Sequence, residues 1–173
     1  MQTKTKRLTV NAMLAALSFV LSYLALDMQV VKITFESFPV HVGALLLGPA
    51  SGGTIALIAT ALFQILRHGI TPTTLLWMAP NIISGLGLGF YAKGKKFSLT
   101  KKQMVIAVLM AEIVITTVNT FALYVDGNMF GWYKPDVFLA TLPVRYAICL
   151  VKGLAYGYIL HPIVVKLQKT VLK

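Results

Sequence analysis

An arginine and a lysine lie seven positions apart in an otherwise apolar stretch, LPVRYAICLVKGL, at residues 142–154. Seven residues are close to two helical turns, so on a helix Arg145 and Lys152 share one face. A buried cation needs a carboxylate partner or an anionic ligand, and the planar guanidinium of arginine fits a carboxylate or a phosphate. The chemistry that these two residues indicate is anion binding.

The composition places this stretch in a membrane protein. Of the 173 residues, 57% are hydrophobic and 12% are charged, and the mean hydropathy is +0.78. Soluble domains carry about 25% charged residues. Apolar segments recur along the whole chain and leave no room for a separate soluble domain, and the first is too long for a signal peptide. We therefore expect an integral membrane protein.

The apolar segments predict the fold. Crossing a bilayer takes about 20 apolar residues per helix. We predict an all-α membrane protein with a single domain over residues 1–173 and six transmembrane helices, at residues 8–26, 38–49, 54–66, 73–91, 104–125 and 137–165. The stretch MQVVKITFES between the first two alternates apolar and polar residues, which predicts a loop with extended backbone.

The net charge of +11 could indicate nucleic-acid binding, but its distribution favours a membrane topology. Most of the lysines and arginines cluster in residues 4–7, 93–102 and 166–173. Six spans place all three clusters on one face, which the positive-inside rule identifies as cytoplasmic. We therefore predict cytoplasmic termini and no nucleic-acid partner.

Depth in the membrane distinguishes the two buried cations. The fifth and sixth spans run antiparallel, so Glu112 lies level with Lys152, and Asn119 lies level with Arg145. We expect Glu112 and Lys152 to form an ion pair that is structural, although a functional role stays open. Charged groups at membrane depth are costly, at least ~2.5–3.5 kcal/mol each, which favours such pairing.

Arg145 has no acidic residue at its own depth. It could snorkel towards the membrane surface, or pair with Asp126 or Asp136 of the loop between the last two spans. The hypothesis we favour is an open site for a small ligand that carries an anionic group. The candidate ligand-binding residues come from the fourth to sixth spans and their outer loops, with one from the first loop. They are Arg145, Asn119, Asn81, Trp77, Tyr146, Arg67, His68, Trp132, Tyr133 and Lys32.

Enzyme motifs are missing from the sequence. It contains no GxSxG, no HExxH and no nucleotide-binding loop, and the glycines of GLGLG follow no predicted strand. The two histidines His41 and His161 belong to different spans, and neither has a metal-ligand partner at a recognisable spacing. The sequence predicts no catalytic residue, no metal and no cofactor, so any active transport would need an energy-supplying partner.

Small residues on the first span raise the possibility of such a partner. Ala12 and Ala16 share one face with a small-residue spacing, next to Ala15, which indicates either packing within the monomer or a docking surface. Together with KITFESFPVHVGALLLGPASGG (residues 32–53) and GITPTTLLWMAP (residues 69–80), this patch resembles a known family. The chain is similar over nearly its whole length to the S components (substrate-binding membrane subunits) of group II energy-coupling factor (ECF) vitamin transporters.

The resemblance implies a partner and a location. An S component binds a water-soluble vitamin from outside the bacterial cytoplasmic membrane, which it crosses several times. It docks through the small-residue patch on a membrane coupling subunit that carries two ATPases, and it hydrolyses nothing itself. The pocket would lie in the outer half of the bundle.

Which vitamin is bound depends on the pocket. Arg145 and the Arg67–His68 pair favour a carboxylate, and the single aromatic residue in residues 69–88 argues against a large ring system. Pantothenate is therefore our first expectation, folate the second, and pyridoxine or niacin are further members of the same class. The alternative of another class is a small helical channel or a membrane assembly subunit without a ligand.

Overall fold

The described part of the protein folds as a bundle of six α-helices. The computed structural model describes residues 4–24, 26–27 and 32–171. These residues form the helices α1 (Lys4–Tyr23), α2 (Ser37–Leu47), α3 (Pro49–His68), α4 (Thr74–Gly94), α5 (Lys101–Met129) and α6 (Pro135–Val171). Each helix corresponds to one predicted span, and four of them, α3 to α6, are long and apolar enough to cross a membrane.

The break between α2 and α3 is shorter than the sequence predicted. Only Gly48 separates the two helices, and its φ of 90° lies in the region that favours glycine. Pro49 then begins α3. Proline suits the first position of a helix, because an N–H group there would have no partner within the helix. The predicted start at residue 54 was wrong because the small residues of GPASGG lie mostly inside the helix.

The first loop contains a short β-ladder. Strands β1 (Leu26–Asp27) and β2 (Lys32–Ile33) pair antiparallel, with Leu26 opposite Ile33. The extended conformation predicted for MQVVKITFES is thus present in β2. Residues 28–31 of that stretch lie outside the described residues.

The apolar core occupies one half of the bundle. Its fully buried side chains include Leu45 of α2, Met104 and Val108 near the start of α5, and Leu160 in the last third of α6. Because α5 and α6 pack antiparallel, these residues lie at the same end of the molecule. The opposite half is left for the polar residues of α3 to α6.

Side-chain contacts bring the three basic segments to this same end. Arg7 donates to the Ser51 hydroxyl over 3.0 Å, and Gln168 donates to the Phe97 carbonyl over 2.9 Å. The Phe97 ring in turn lies against Gly48, next to the start of α3. The start of α1, the α4–α5 connection and the last turns of α6 are therefore neighbours. The positive-inside rule predicts that this end is cytoplasmic.

Two glycines of GLGLG allow α4 to pack closely on α3. A Cβ on Gly85 would lie 2.7 Å from the Gly52 carbonyl oxygen, and one on Gly89 would overlap Pro49. Gly87 lies between them, and a Cβ there would meet nothing within 4 Å. The repeat is thus a packing motif in which alternate glycines face the neighbouring helix.

Gly85→Ala and Gly87→Ala should change stability in opposite directions. The Gly85 methyl would force α3 and α4 apart and lower the free energy of unfolding by about 1–3 kcal/mol. The Gly87 methyl would enter open space and raise it by up to about 1 kcal/mol, because alanine favours the helix. Thermal unfolding of both variants in detergent measures the difference, and equal effects would contradict this packing.

Candidate ligand-binding site

A cavity of about 580 Å³ lies in the half of the bundle away from the basic segments. Its wall is formed by the last turns of α3, the α3–α4 connection, the start of α4, the second half of α5 and the first half of α6. Residues of β2 and of the connection to α2 complete it. The volume lies within the range of about 300–1,000 Å³ that is typical of small-molecule sites.

The expected ion pair between α5 and α6 is present in the wall of this cavity. Lys152 Nζ lies 2.9 Å from Glu112 Oε2, and Glu112 is only 1% exposed. Glu112 Oε1 also accepts a hydrogen bond from Ser37, and Lys152 donates to the Thr34 carbonyl of the first loop. The pair therefore joins four segments of the chain and forms part of the cavity lining as well.

His41 extends this polar network towards α4. The ring is fully buried, with Nε2 3.0 Å from the Ser84 hydroxyl and Nδ1 3.8 Å from Glu112 Oε1. Its contacts link α2 to α4 and α5 beneath the cavity. His41 is thus a member of the buried network, as a histidine on an apolar helix usually is.

Arg145 lines the cavity and has no hydrogen-bond or ion-pair partner among the described residues. Both Arg145 and Asn119 lie ten residues from the nearer end of their helices, about 15 Å deep. The buried Nε of Arg145 has no hydrogen-bond partner, and within the described residues neither Asp126 nor Asp136 forms an ion pair with the guanidinium. The cation is therefore left available to a ligand in the cavity.

Asp126 lines the cavity, whereas the sequence predicted it in a loop and as one possible partner of Arg145. Helix α5 continues to Met129, which places Asp126 in its last turn instead of in a loop. Its Oδ1 accepts hydrogen bonds from the Thr73 hydroxyl and from Trp77 Nε1, the latter over 3.2 Å. The spacing of Thr73 and Trp77, four residues apart at the start of α4, is the signal that could have indicated a shared partner.

Glu36 is the second acid that sequence reasoning missed. Its side chain lines the cavity and accepts hydrogen bonds from Asn81 Nδ2 over 2.8 Å and from the Ser22 hydroxyl over 2.7 Å. Its carbonyl accepts another from Ser18. These bonds fasten the first loop to α1 and α4, and no feature of the sequence pattern around Glu36 distinguished it from a solvated loop residue.

Four of the predicted ligand-binding residues line the cavity. They are Arg145, Asn119, Trp77 and His68. Asn81 does not line it, but its amide holds Glu36, which does. The side chain of Lys32 lies outside the described residues.

The other predicted residues point elsewhere. Arg67 is exposed, and its guanidinium lies 5.8 Å from the ring centroids of Tyr23 and Phe63. Its neighbour His68 lines the cavity, and Arg67 does not. Tyr146, next to Arg145, is likewise turned away, with its hydroxyl 3.0 Å from that of Thr117.

Trp132 and Tyr133 of the α5–α6 connection also lie outside the cavity lining. The N–H groups of Trp132 and Tyr133 both donate to the Gly127 carbonyl over 3.0 Å, which turns the chain back across the end of α5. Trp132 is exposed, and the Tyr133 ring packs against Tyr124. Phe130 lines the cavity in their place.

The small-residue patch of α1 divides between two faces. Ala15 is 3% exposed and packs inside the bundle, so it is not available to a partner protein. Ala12 and Ala16 are exposed, as residues four apart on the outer face of a helix should be. Of the three alanines, only Ala12 and Ala16 are therefore accessible to a docking partner.

The arrangement can bind a small molecule, and nothing in it indicates catalysis. Within the described ranges, no group of three His, Cys, Asp or Glu residues could hold a metal ion. The sequence matches the family described as "ECF transporter, substrate-specific component" over residues 6–164. The chain belongs to this family. It is an S component, a transport subunit and not an enzyme, and the channel and assembly-subunit alternatives are dropped.

Solved structures with the same fold agree with this assignment. The S component is similar to that of a bacterial ECF transporter (20% identity, 99% of this chain and 100% of that chain covered, TM-score 0.68). It is also similar to an S component for biotin from an ECF-type ABC transporter (20% identity, 96% of this chain and 92% of that chain covered, TM-score 0.72). A third similar structure is FolT bound with folic acid (21% identity, 90% of this chain and 93% of that chain covered, TM-score 0.61). No curated protein sequence matches the chain.

Replacing Lys152 alone should destabilise the protein more than replacing both Glu112 and Lys152. Lys152→Met leaves a buried carboxylate without its cation and should lower the free energy of unfolding by about 3–5 kcal/mol. The double variant Lys152→Met, Glu112→Gln should recover most of that loss, because the amide can still accept from Ser37. Unfolding in mixed micelles, followed by circular dichroism, measures both. A single variant as stable as the parent would contradict the role of the pair.

Proposed function

We propose that this S component captures a water-soluble vitamin that carries a carboxylate, and that Arg145 binds that carboxylate. The supporting observation is the buried Nε of Arg145, which has no hydrogen-bond partner in the described part of the chain and lies in the wall of a cavity of about 580 Å³. A guanidinium binds a carboxylate through two parallel hydrogen bonds that are roughly twice as strong as neutral ones. Asn119, level with Arg145, is an amide that can donate to the same group.

Pantothenate and folate both satisfy this requirement. The sequence argument for pantothenate rested on a shortage of aromatic residues in residues 69–88. Three aromatic side chains, Phe63, Trp77 and Phe130, nevertheless line the cavity, so that argument loses its force. Of the structurally similar proteins, one is described as bound with folic acid and one as an S component for biotin, which is also a carboxylated vitamin. These neighbours and the unpartnered Arg145 Nε within the described residues support a carboxylated vitamin as the substrate class.

The position of the cavity supports uptake from outside. It lies at the end of the bundle opposite the three basic segments, and the positive-inside rule makes that end extracellular. In a bacterial cytoplasmic membrane the vitamin would then enter from the external solution. Delivery would need docking through Ala12 and Ala16 on a coupling module, in which a membrane subunit and two ATPases supply the energy.

Arg145→Ala should weaken the binding of a carboxylated vitamin by about 10- to 150-fold, since a hydrogen bond to a charged group contributes about 1.5–3 kcal/mol. Calorimetric titration of the purified protein with pantothenate, folate and biotin measures this loss. An analogue of the best ligand with an alcohol in place of the carboxyl group should bind weakly to the parent. It should bind to the variant with the same weak affinity.

Arg67→Ala is the matched control for this titration. It removes an arginine from the same end of the bundle, but one that is exposed and does not line the cavity. Its affinity for the vitamin should equal that of the parent. Unchanged affinity in Arg145→Ala would overturn the role of Arg145, and no binding of any vitamin below micromolar concentration would overturn the proposed function.

Ala12→Trp and Ala16→Trp should abolish vitamin uptake by cells that co-express the coupling module, because a bulky ring prevents close helix approach. Binding to the purified protein should be unaffected. Ala155→Trp, at an exposed alanine of α6, is the control and should transport normally. Loss of binding in the α1 variants, or equal loss of uptake in the control, would show that the α1 face is not a docking surface.

A further inference from the structure

Two opposite charges line the cavity without meeting. Asp126 lies three residues from the end of α5 and Arg145 ten residues from the start of α6, so they differ in depth by about 10 Å. Neither forms an ion pair with a described residue. Charges of opposite sign that face one cavity and stay apart are both available to a ligand long enough to reach them.

The free oxygen of Asp126 is held in a fixed position. Both of its hydrogen bonds, from Thr73 and from Trp77, end on Oδ1. Oδ2 makes no hydrogen bond within the described part of the chain. The donors come from the start of α4, so two helices fix the carboxylate while one of its oxygens remains open. An ionised carboxylate only accepts hydrogen bonds, so the matching ligand group must be a donor.

An aromatic surface adjoins this oxygen. Trp77 lines the cavity, and its hydrogen bond to Asp126 holds the edge of the indole beside the carboxylate. Phe130, at the end of α5, lines the same region. A flat ring stacked on Trp77 would present its edge to Asp126, so that edge would have to carry hydrogen-bond donors such as ring N–H groups.

We propose that the vitamin bound by this protein carries a planar ring with N–H donors at one end and a carboxylate at the other. Trp77 and Asp126 bind the ring, and Arg145 binds the carboxylate. This inference rests on the proposed function for the carboxylate and adds the opposite end of the substrate. Folate, with a donor-bearing pterin ring linked to carboxylates, has this chemistry. Pantothenate has a carboxylate and no ring.

Asp126→Asn separates ring recognition from a purely structural role. The amide oxygen can still accept from Thr73 and Trp77, so the connection between α4 and α5 is kept. The amide nitrogen then replaces Oδ2 and presents donors to a donor-bearing ring. Thermal unfolding of the variant should match the parent, which shows that any change in binding does not come from misfolding.

The test is a calorimetric titration of folate, free pterin and pantothenate against the parent, Asp126→Asn, Trp77→Leu and Arg145→Ala. The parent should bind folate more tightly than pantothenate. Asp126→Asn and Trp77→Leu should each weaken folate and pterin by about 10- to 100-fold and leave pantothenate unchanged. Arg145→Ala should weaken folate and pantothenate, and leave pterin unchanged.

The outcomes distinguish the two proposals. If Asp126→Asn binds folate as the parent does, or the parent prefers pantothenate, the ring inference is overturned. The proposed function survives either result as long as Arg145→Ala weakens the carboxylated ligand. If the parent binds no carboxylated vitamin, both proposals fail.

Discussion

The buried ion pair of Glu112 and Lys152 is the interaction on which the cavity depends. Lys152 lines the same cavity as Arg145, and Glu112 is its ion-pair partner. The bond from Lys152 to the Thr34 carbonyl ties the first loop to the same point. Arg145, one heptad nearer the open end, is left to meet a ligand.

Hydrogen bonds from the start of α4 keep the carboxylate of Asp126 apart from Arg145. Trp77 lies in the first turn of α4, and Thr73 is the residue just before that helix. These residues hold Asp126, and so prevent it from turning towards Arg145. A site whose charges are held in place before the ligand arrives loses less conformational entropy on binding. The hydrogen bonds between the start of α4 and the end of α5 therefore help to position the charges of the cavity.

Helical periodicity and depth predicted much of this arrangement. Counting residues along antiparallel spans paired Glu112 with Lys152, since helical rise is constant. The prediction that Asp126 lies in a loop was wrong, because hydropathy marks where a helix leaves the bilayer and not where the helix ends. Helix α5 continues to Met129. The sequence also did not predict the position of Trp132. That position depends on the turn at Gly131, with φ of 74°, and not on any periodic pattern.

A structure of the protein with its vitamin bound tests the central claim most directly. The account predicts that the ligand carboxylate lies within hydrogen-bonding distance of the Arg145 guanidinium, about 2.7–2.9 Å from its nitrogens. The Glu112–Lys152 pair should remain intact beside it. A carboxylate bound to Lys152, with Glu112 displaced and Arg145 untouched, would contradict the account.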